Sequence, residues 1–433
     1  MGLFGTSGIR RLFDNSLVCL ALRVGLTVGK FYGNVVVGSD TRTSSDALKY
    51  AVISGLLAAG SRCEDAGVVP TPTLGFAARG FDAGVMITAS HNPPEYNGIK
   101  LLNPDGAGFD SAQQAQVEEA LNVSPAVAPW DDIKSSDIYH GAVERHIERI
   151  IQDFPARFKV KVALDCGCGA ASVITPHLLR KLGCELTEIN CYPSGFFPRG
   201  IEPTESNLEN LITATRKSGA ALGIAHDGDA DRIMVVDDLG SFISGDKLLA
   251  IFARSVRAKE VVTTIDASMA IDEMGFNVRR TRIGDTCVSE GLKKGGDFGG
   301  EPSGSWIFPS VSLCPDGIYA AAQVVAIASQ QSLSHMVDNI PSYPLLRGSI
   351  SSEGIVMSGL ELQLMAMEPL SVSNVDGVKL NFKDGWLLVR VSGTEPKIRL
   401  TAEARSETRV HQLYDSGLKA IKDCIEGSKE RVG

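Results

Sequence analysis

The stretch VVVGSDTR, residues 35–42, runs apolar residues into an aspartate with small residues around it, and the chain makes the same move twice more. VKVALDCG (160–167) and VVTTIDAS (261–268) repeat the order. Short apolar runs closed by turn residues read as buried strands. In the first third, the strand NVVVGSD (34–40) precedes the helix SSDALKYAVISGLLAAG (44–60), stopped by Gly60, and the strand DAGVMIT (82–88). A second set has strands at 159–165, 184–190 and 220–226 with helices around 170–182 and 207–218. A third has strands at 260–266 and 277–285 with helices around 246–257 and 316–329. Such alternation predicts largely parallel sheets with helices on their faces, and the echo predicts one unit used three times.

After IPSYP (340–344) the pattern changes. GVKLNFKDGWLLVRVSG (377–393) places Asp384-Gly385 between two β-rich runs, a hairpin signal, and a charged amphipathic helix around 407–425 closes the chain. The prediction is an α/β chain. Three similar α/β domains with mainly parallel, mixed sheets (1–135, 136–239 and 240–343) precede a C-terminal α+β domain (344–433).

Composition narrows the function. The 433 residues are 44% hydrophobic and 21% charged, and the formal net charge is −9. An acidic chain of this kind argues against a general nucleic-acid or membrane-surface partner, since either favours a basic face. No apolar run approaches the roughly 18–20 residues needed to span a bilayer, and MGLFGTSGIRRLF lacks the order of a signal peptide. Nine scattered cysteines without paired CxxC spacing read as reduced thiols of a cytoplasmic protein rather than as zinc ligands.

Four loops carry candidate chemistry. DAGVMIT ends in TASHNPP, so Ser90 stands at a strand end as turn material, a nucleophile or a phosphate carrier. Adjacent side chains of an extended segment point to opposite sides, which turns His91 away from Ser90 and leaves it to hold the loop. Lys100, in YNGIK, is the better acid/base candidate, because an ammonium group near cations or phosphate can be tuned downward.

In AHDGDADRIMVV, Asp227, Asp229 and Asp231 recur at period two past a strand, which points three carboxylates one way. Oxygen-only ligands favour Mg²⁺ or Ca²⁺. An EF-hand fails at its sixth position, where Arg232 replaces the required Gly. A phosphorylated Ser90 beside three carboxylates would need a divalent cation and basic side chains nearby, and Arg232 is placed to help. In GGEPSGS (299–305), Glu301 and Ser303 offer acceptors and donors to hydroxyl groups. In RVSGTEPKIR (390–399), Arg390, Ser392, Gly393 and Thr394 suit a phosphate dianion.

Taken in order, FGTSGIR, TASHNP, DGDADR, GEPSG and RVSGTEP resemble the α-D-phosphohexomutase superfamily, over essentially the whole chain. The resemblance implies four domains around a central cleft. It also implies that Ser90 is the phosphoserine and that Ser90, Asp227, Asp229 and Asp231 hold Mg²⁺. Arg10 and Lys100 would flank the reacting phosphoryl group, Glu301 and Ser303 would bind the sugar, and the Arg390 loop would bind the substrate's phosphate.

RIGDTCVSEGL, with Gly284-Asp285, and GEPSGSWIFP resemble archaeal members of the phosphoglucosamine mutase branch. That branch implies interconversion of glucosamine 6-phosphate and glucosamine 1-phosphate through a sugar 1,6-bisphosphate, which also serves as activator. The alternative is a phosphomannomutase/phosphoglucomutase acting on mannose or glucose phosphates. Asp285 or Glu301 would meet the ammonium of an amino sugar. Many relatives carry a His where Ser305 stands, so a two-residue proton scheme loses a member here. The expected partner is a small hexose or hexosamine phosphate, bound by a monomer or homodimer. A metal-dependent phosphatase, the rival enzyme, would collect several histidines, and the seven here do not cluster in the sequence.

Overall fold

A computed structural model describes residues 2–123, 126–351, 357–391 and 397–429. The first sheet runs in the order Ile9–Leu12, Tyr96–Leu102, Ala83–Ile87, Asn34–Ser39, Arg62–Val68, Ser136–Ile138. The second runs Phe242–Ile243, Ile233–Val236, Leu222–His226, Lys161–Asp165, Glu185–Ile189. The third runs Asn277–Thr281, Glu260–Thr264, Phe298–Glu301, Ser305–Ile307.

One four-strand pattern recurs in all three. Two parallel strands lead to a third parallel strand, which turns back into an antiparallel neighbour. The three echoed stretches occupy the same place in each sheet, beside the strand that turns back. Their apolar residues are buried because helices cover both faces, which is why these strands read as continuous apolar runs.

The edge strands of the first two sheets are short and lie close to the expected domain boundaries. Ser136–Ile138 pairs with Arg62–Val68 at the edge of the first sheet, past residue 135. Phe242–Ile243 closes the edge of the second sheet, past residue 239. The first strand is exposed along its length and the second is two residues long, so neither has an apolar pattern to announce it.

The last sheet is antiparallel, in the order Leu345–Ser351, Lys397–Ala404, Gly385–Val391, Val378–Phe382, Ser371–Ser373. Its hairpin is shifted by one residue from the expectation. Phe382 pairs with Gly385, so the turn is Lys383-Asp384. Gly385 instead serves a close approach, since a Cβ there would lie 2.3 Å from the Glu403 carbonyl oxygen.

Apolar packing divides the molecule differently from the sheets. The second and third units share one continuous core, from Ile147 and Leu164 through Phe252 and Trp306 to Ile340. The first unit packs around Leu17, Val35, Leu56 and Ile87, and the last around Leu380, Leu400 and Ile421. The last unit meets the third through Trp386, Leu388 and Ile265. There Glu403 accepts hydrogen bonds from Ser268 Oγ at 2.5 Å, Met269 N at 2.7 Å and Trp386 Nε1 at 2.6 Å. Among the described residues, no helix is long and apolar enough to cross a membrane.

Candidate active site

The three antiparallel turn-backs carry three of the four loops singled out in the sequence. Ser90 lies between Ala83–Ile87 and Tyr96–Leu102, the Asp triplet between Leu222–His226 and Ile233–Val236, and Ser303 between Phe298–Glu301 and Ser305–Ile307. Equivalent corners of three repeated units therefore meet at one place. Gly98 allows the strand bearing Arg10 to join them, because a Cβ there would sit 2.0 Å from the Ile9 carbonyl oxygen.

Ser90 is buried and has a left-handed backbone, φ 51°. Its Oγ donates to Asp227 Oδ2 at 2.8 Å, and its N–H donates to Thr88 Oγ1 at 2.8 Å. The left-handed turn also corrects the expectation for His91. The segment is not extended at Ser90, so His91 Nδ1 comes within 3.3 Å of Ser90 Oγ. Burial, then the nearby Arg232 and Arg10, push the His91 pKa down to about 2, so its ring is neutral.

The carboxylates of Asp227, Asp229 and Asp231 each offer an oxygen within 4.8 Å of the others. Burial, then Asp231 and Asp229, raise Asp227 well above the usual carboxylate range, the signature of crowded like charges. Lys100 Nζ lies 2.8 Å from Asp229 Oδ2 and 2.5 Å from Asp231 Oδ2. The expected downward tuning of Lys100 is therefore reversed. Burial works to lower the ammonium, but Asp229 and Asp231 outweigh it and hold it above its ordinary value.

The donor set fits a hard cation. Asp229 Oδ1 and Asp231 Oδ1 are buried without a hydrogen-bond partner, while the Oδ2 atoms are engaged. Two such orphan oxygens beside Asp227 suit Mg²⁺ or Ca²⁺. Thr71, reaching in from the first unit, fixes which oxygen is left over: its Oγ1 donates to Asp229 Oδ2 at 2.5 Å and its N–H to the Asp229 carbonyl at 2.9 Å. Thr71→Val removes that donor at similar volume and is expected to weaken Mg²⁺ binding roughly tenfold. Thr71→Ser should restore it. Titration calorimetry checks both, and an unchanged affinity in Thr71→Val would show that Asp229 needs no such support.

Basic groups complete the rim. Arg10 Nη1 donates to Asn92 Oδ1 at 3.1 Å. Its pKa is lowered, first by burial and then by Arg232, so two guanidinium groups crowd one region that an anion would relieve. Arg232 N donates to Asp227 Oδ1 at 3.2 Å, and Arg232 Nη1 to Glu202 Oε1 at 3.2 Å. Arg232 also bridges in backbone to Ser305, which is buried at the seam between the second and third units.

Glu301 Oε1 accepts from Gly284 N at 2.7 Å, and Ser303 Oγ lies 3.4 Å from Glu301 Oε2. Burial, then the charge of Asp285, push Glu301 up to about 7. Ser7 Oγ donates to Asp285 Oδ1.

The fourth loop joins less directly. Arg390 Nε pairs with Asp376 Oδ2 at 2.9 Å, and the same oxygen accepts from Ile283 N at 3.0 Å, next to Gly284-Asp285. Ser392, Gly393 and Thr394 lie outside the described residues.

Sequence reasoning missed two supports, Thr71 and Arg42. The Arg42 guanidinium donates to the carbonyls of Ser90 (2.9 Å), Asn92 (2.6 Å), Pro93 (2.7 Å) and Tyr96 (2.8 Å), and pairs with buried Asp40. It clamps the whole serine loop. The only signal was the Asp-x-Arg that closes the opening stretch, VVVGSDTR.

Comparison with known proteins agrees with this geometry. The family described as Phosphoglucomutase/phosphomannomutase matches in four consecutive parts: alpha/beta/alpha domain I over residues 1–126, domain II over 144–240, domain III over 244–343 and the C-terminal domain over 357–418. A probable phosphoglucosamine mutase of Methanocella arvoryzae is 45% identical, across 98% of this chain and 99% of its own length. One from Methanococcoides burtonii is 46% identical, across 98% and 100%. The solved structure of a phosphoglucomutase/phosphomannomutase family protein from Burkholderia thailandensis is similar with a TM-score of 0.86 at 27% identity, covering 98% of this chain and 97% of that one.

Proposed function

The chain belongs to the phosphoglucomutase/phosphomannomutase family, and from that premise we propose that it interconverts glucosamine 6-phosphate and glucosamine 1-phosphate. The observation that carries the reading is Ser90 Oγ at 2.8 Å from Asp227, inside a carboxylate triplet and ringed by Lys100, Arg10 and Arg232. A hydroxyl in that setting is placed to carry a phosphoryl group, with cations for its charge. The names of the archaeal relatives support the hexosamine substrate.

In this scheme phosphorylated Ser90 is the resting donor. A substrate hydroxyl at C1 or C6 attacks the phosphorus, the bond to Ser90 Oγ breaks, the hydroxyl proton is passed on to the freed Ser90 Oγ, and a sugar 1,6-bisphosphate forms. The bisphosphate turns over in the cleft, and its other phosphoryl group passes back to Ser90 Oγ. Free bisphosphate serves as activator by the same exchange, restoring phosphoserine to an enzyme that has lost it. Mg²⁺, held by Asp227, Asp229 and Asp231, would neutralise charge on the transferring group.

Lys100, kept charged by the carboxylates, donates a proton or stabilises the developing oxyanion. Arg10 and Arg232 orient the phosphoryl oxygens. Glu301 and Ser303 meet the sugar hydroxyls, while the phosphate that is not reacting is assigned, from the residue types alone, to Arg390, Ser392, Gly393 and Thr394.

Asp285 and Glu301 supply carboxylates that favour a C2 ammonium over a hydroxyl. An ion pair in a wet cleft adds about 1 kcal/mol, roughly a fivefold preference. Because Glu301 titrates near neutrality, that preference should grow from about pH 6 to about pH 7.5 as its carboxylate forms. Comparing kcat/KM for glucosamine 1-phosphate, glucose 1-phosphate and mannose 1-phosphate, with Mg²⁺ and bisphosphate present, tests this. A higher value for glucose or mannose 1-phosphate would assign the chain to the phosphomannomutase/phosphoglucomutase activity instead.

A further inference from the structure

Two cysteines lie together away from the carboxylates. Cys166 follows the strand Lys161–Asp165 and Cys191 follows Glu185–Ile189; these strands are parallel neighbours with Asp165 opposite Ile189. Chain exits on the same end of adjacent parallel strands bring the thiols face to face, with the sulfurs 3.4 Å apart. Backbone bonds hold the exits in register, from Cys166 N to the Ile189 carbonyl at 3.3 Å and from Cys168 N to the Asn190 carbonyl at 2.7 Å. Cys166 is fully buried, whereas Cys191 is partly accessible.

We propose that Cys166 and Cys191 form a dithiol site that a hydroperoxide closes reversibly to a disulfide. A disulfide needs sulfurs about 2.05 Å apart, so closure has to bring the two sulfurs together from 3.4 Å. The sulfur of the partly exposed residue Cys191, which also lies 3.3 Å from the Ile189 carbonyl and 3.5 Å from the Leu164 carbonyl, attacks a peroxide oxygen. Its S–O bond forms and the O–O bond breaks, and the departing oxygen takes up the thiol proton and leaves as water from hydrogen peroxide or as an alcohol from an organic hydroperoxide. The Cys166 thiol then attacks the sulfenic sulfur, loses its proton, and the S–S bond forms as the S–O bond breaks and water departs.

Two thiols are oxidised and one hydrogen peroxide is reduced to two waters. Protonation follows the same division: burial raises the Cys166 thiol well above its ordinary range, while hydrogen bonding with Cys166 lowers Cys191. Cys168 is the internal control. It is only two residues from Cys166, but its carbonyl and amide, rather than its sulfur, make the contacts there.

The site does not depend on the mutase chemistry, so its test stands apart from substrate assays. The full-length protein would be exposed to a small excess of hydrogen peroxide, alkylated, digested and mapped by mass spectrometry, with and without dithiothreitol. The expected result is a peptide joining Cys166 to Cys191, with loss of alkylation at those two positions and full recovery under dithiothreitol. Cys191→Ser should abolish the link and Cys168→Ser should preserve it. Cys166 and Cys191 both remaining alkylatable, both passing to sulfinic acid unlinked, or a link that requires Cys168 would overturn the proposal.

Discussion

Turnover of Ser90→Ala is expected to fall by roughly 10⁴–10⁶-fold, the scale seen when a covalent nucleophile is removed from a site that otherwise persists. The loop itself should survive. Arg42 holds it through the carbonyls of Ser90, Asn92, Pro93 and Tyr96, and Thr88 holds it through the Ser90 N–H, none of which uses the Ser90 side chain. Ser90→Gly sharpens the test. Glycine tolerates φ 51° better than any L-residue, so this variant should be equally inactive and at least as stable as Ser90→Ala. Coupled kinetics and phosphopeptide mapping read the outcome. Near-normal turnover in either variant, with no phosphate on Ser90 of the parent protein, would remove the phosphoserine from the mechanism.

Lys100→Met should separate two quantities that usually move together. Methionine fills the buried stem but cannot donate a proton or offset charge, so kcat should drop about 10²–10⁴-fold. Magnesium binding should tighten in the same variant, because the ammonium no longer sits 2.8 Å and 2.5 Å from the Oδ2 atoms of Asp229 and Asp231. A slow enzyme with higher metal affinity is the expected signature. A kcat within a fewfold of the parent would demote Lys100 to a structural counter-ion, and weaker metal binding would mean that it helps to shape the carboxylate site.

Much of the architecture was legible because strand burial leaves a mark in one dimension. Three apolar runs ending in aspartate became three equivalent strands, and the turn after the next strand over became the Ser90, Asp227 and Ser303 loops. What stayed hidden depends on contacts between units or on single torsions. Lys100 reads as a candidate base until Asp229 and Asp231 arrive from another sheet. His91 reads as pointing away until Ser90 takes a left-handed turn. Thr71 opens an ordinary Pro-Thr-Pro-Thr helix start and Arg42 stands just past a strand end, and only the fold reveals what their donors face. Ser136–Ile138 was missed for the opposite reason, since an exposed edge strand has no apolar pattern at all.

The continuous packing of the second and third units has a genetic consequence. The Asp227, Asp229 and Asp231 carboxylates and Glu301 ride on one mass, while Ser90 rides on the first unit, and alignment between them rests on contacts such as Thr71 with Asp229 and the cluster that Val36 and Leu74 share with Ala142. Substitutions along that join would leave every reacting group intact and each core filled, yet register as losses of catalysis. A screen scored on growth alone would place such lesions among active-site alleles, although their defect lies in how one half of the enzyme is presented to the other.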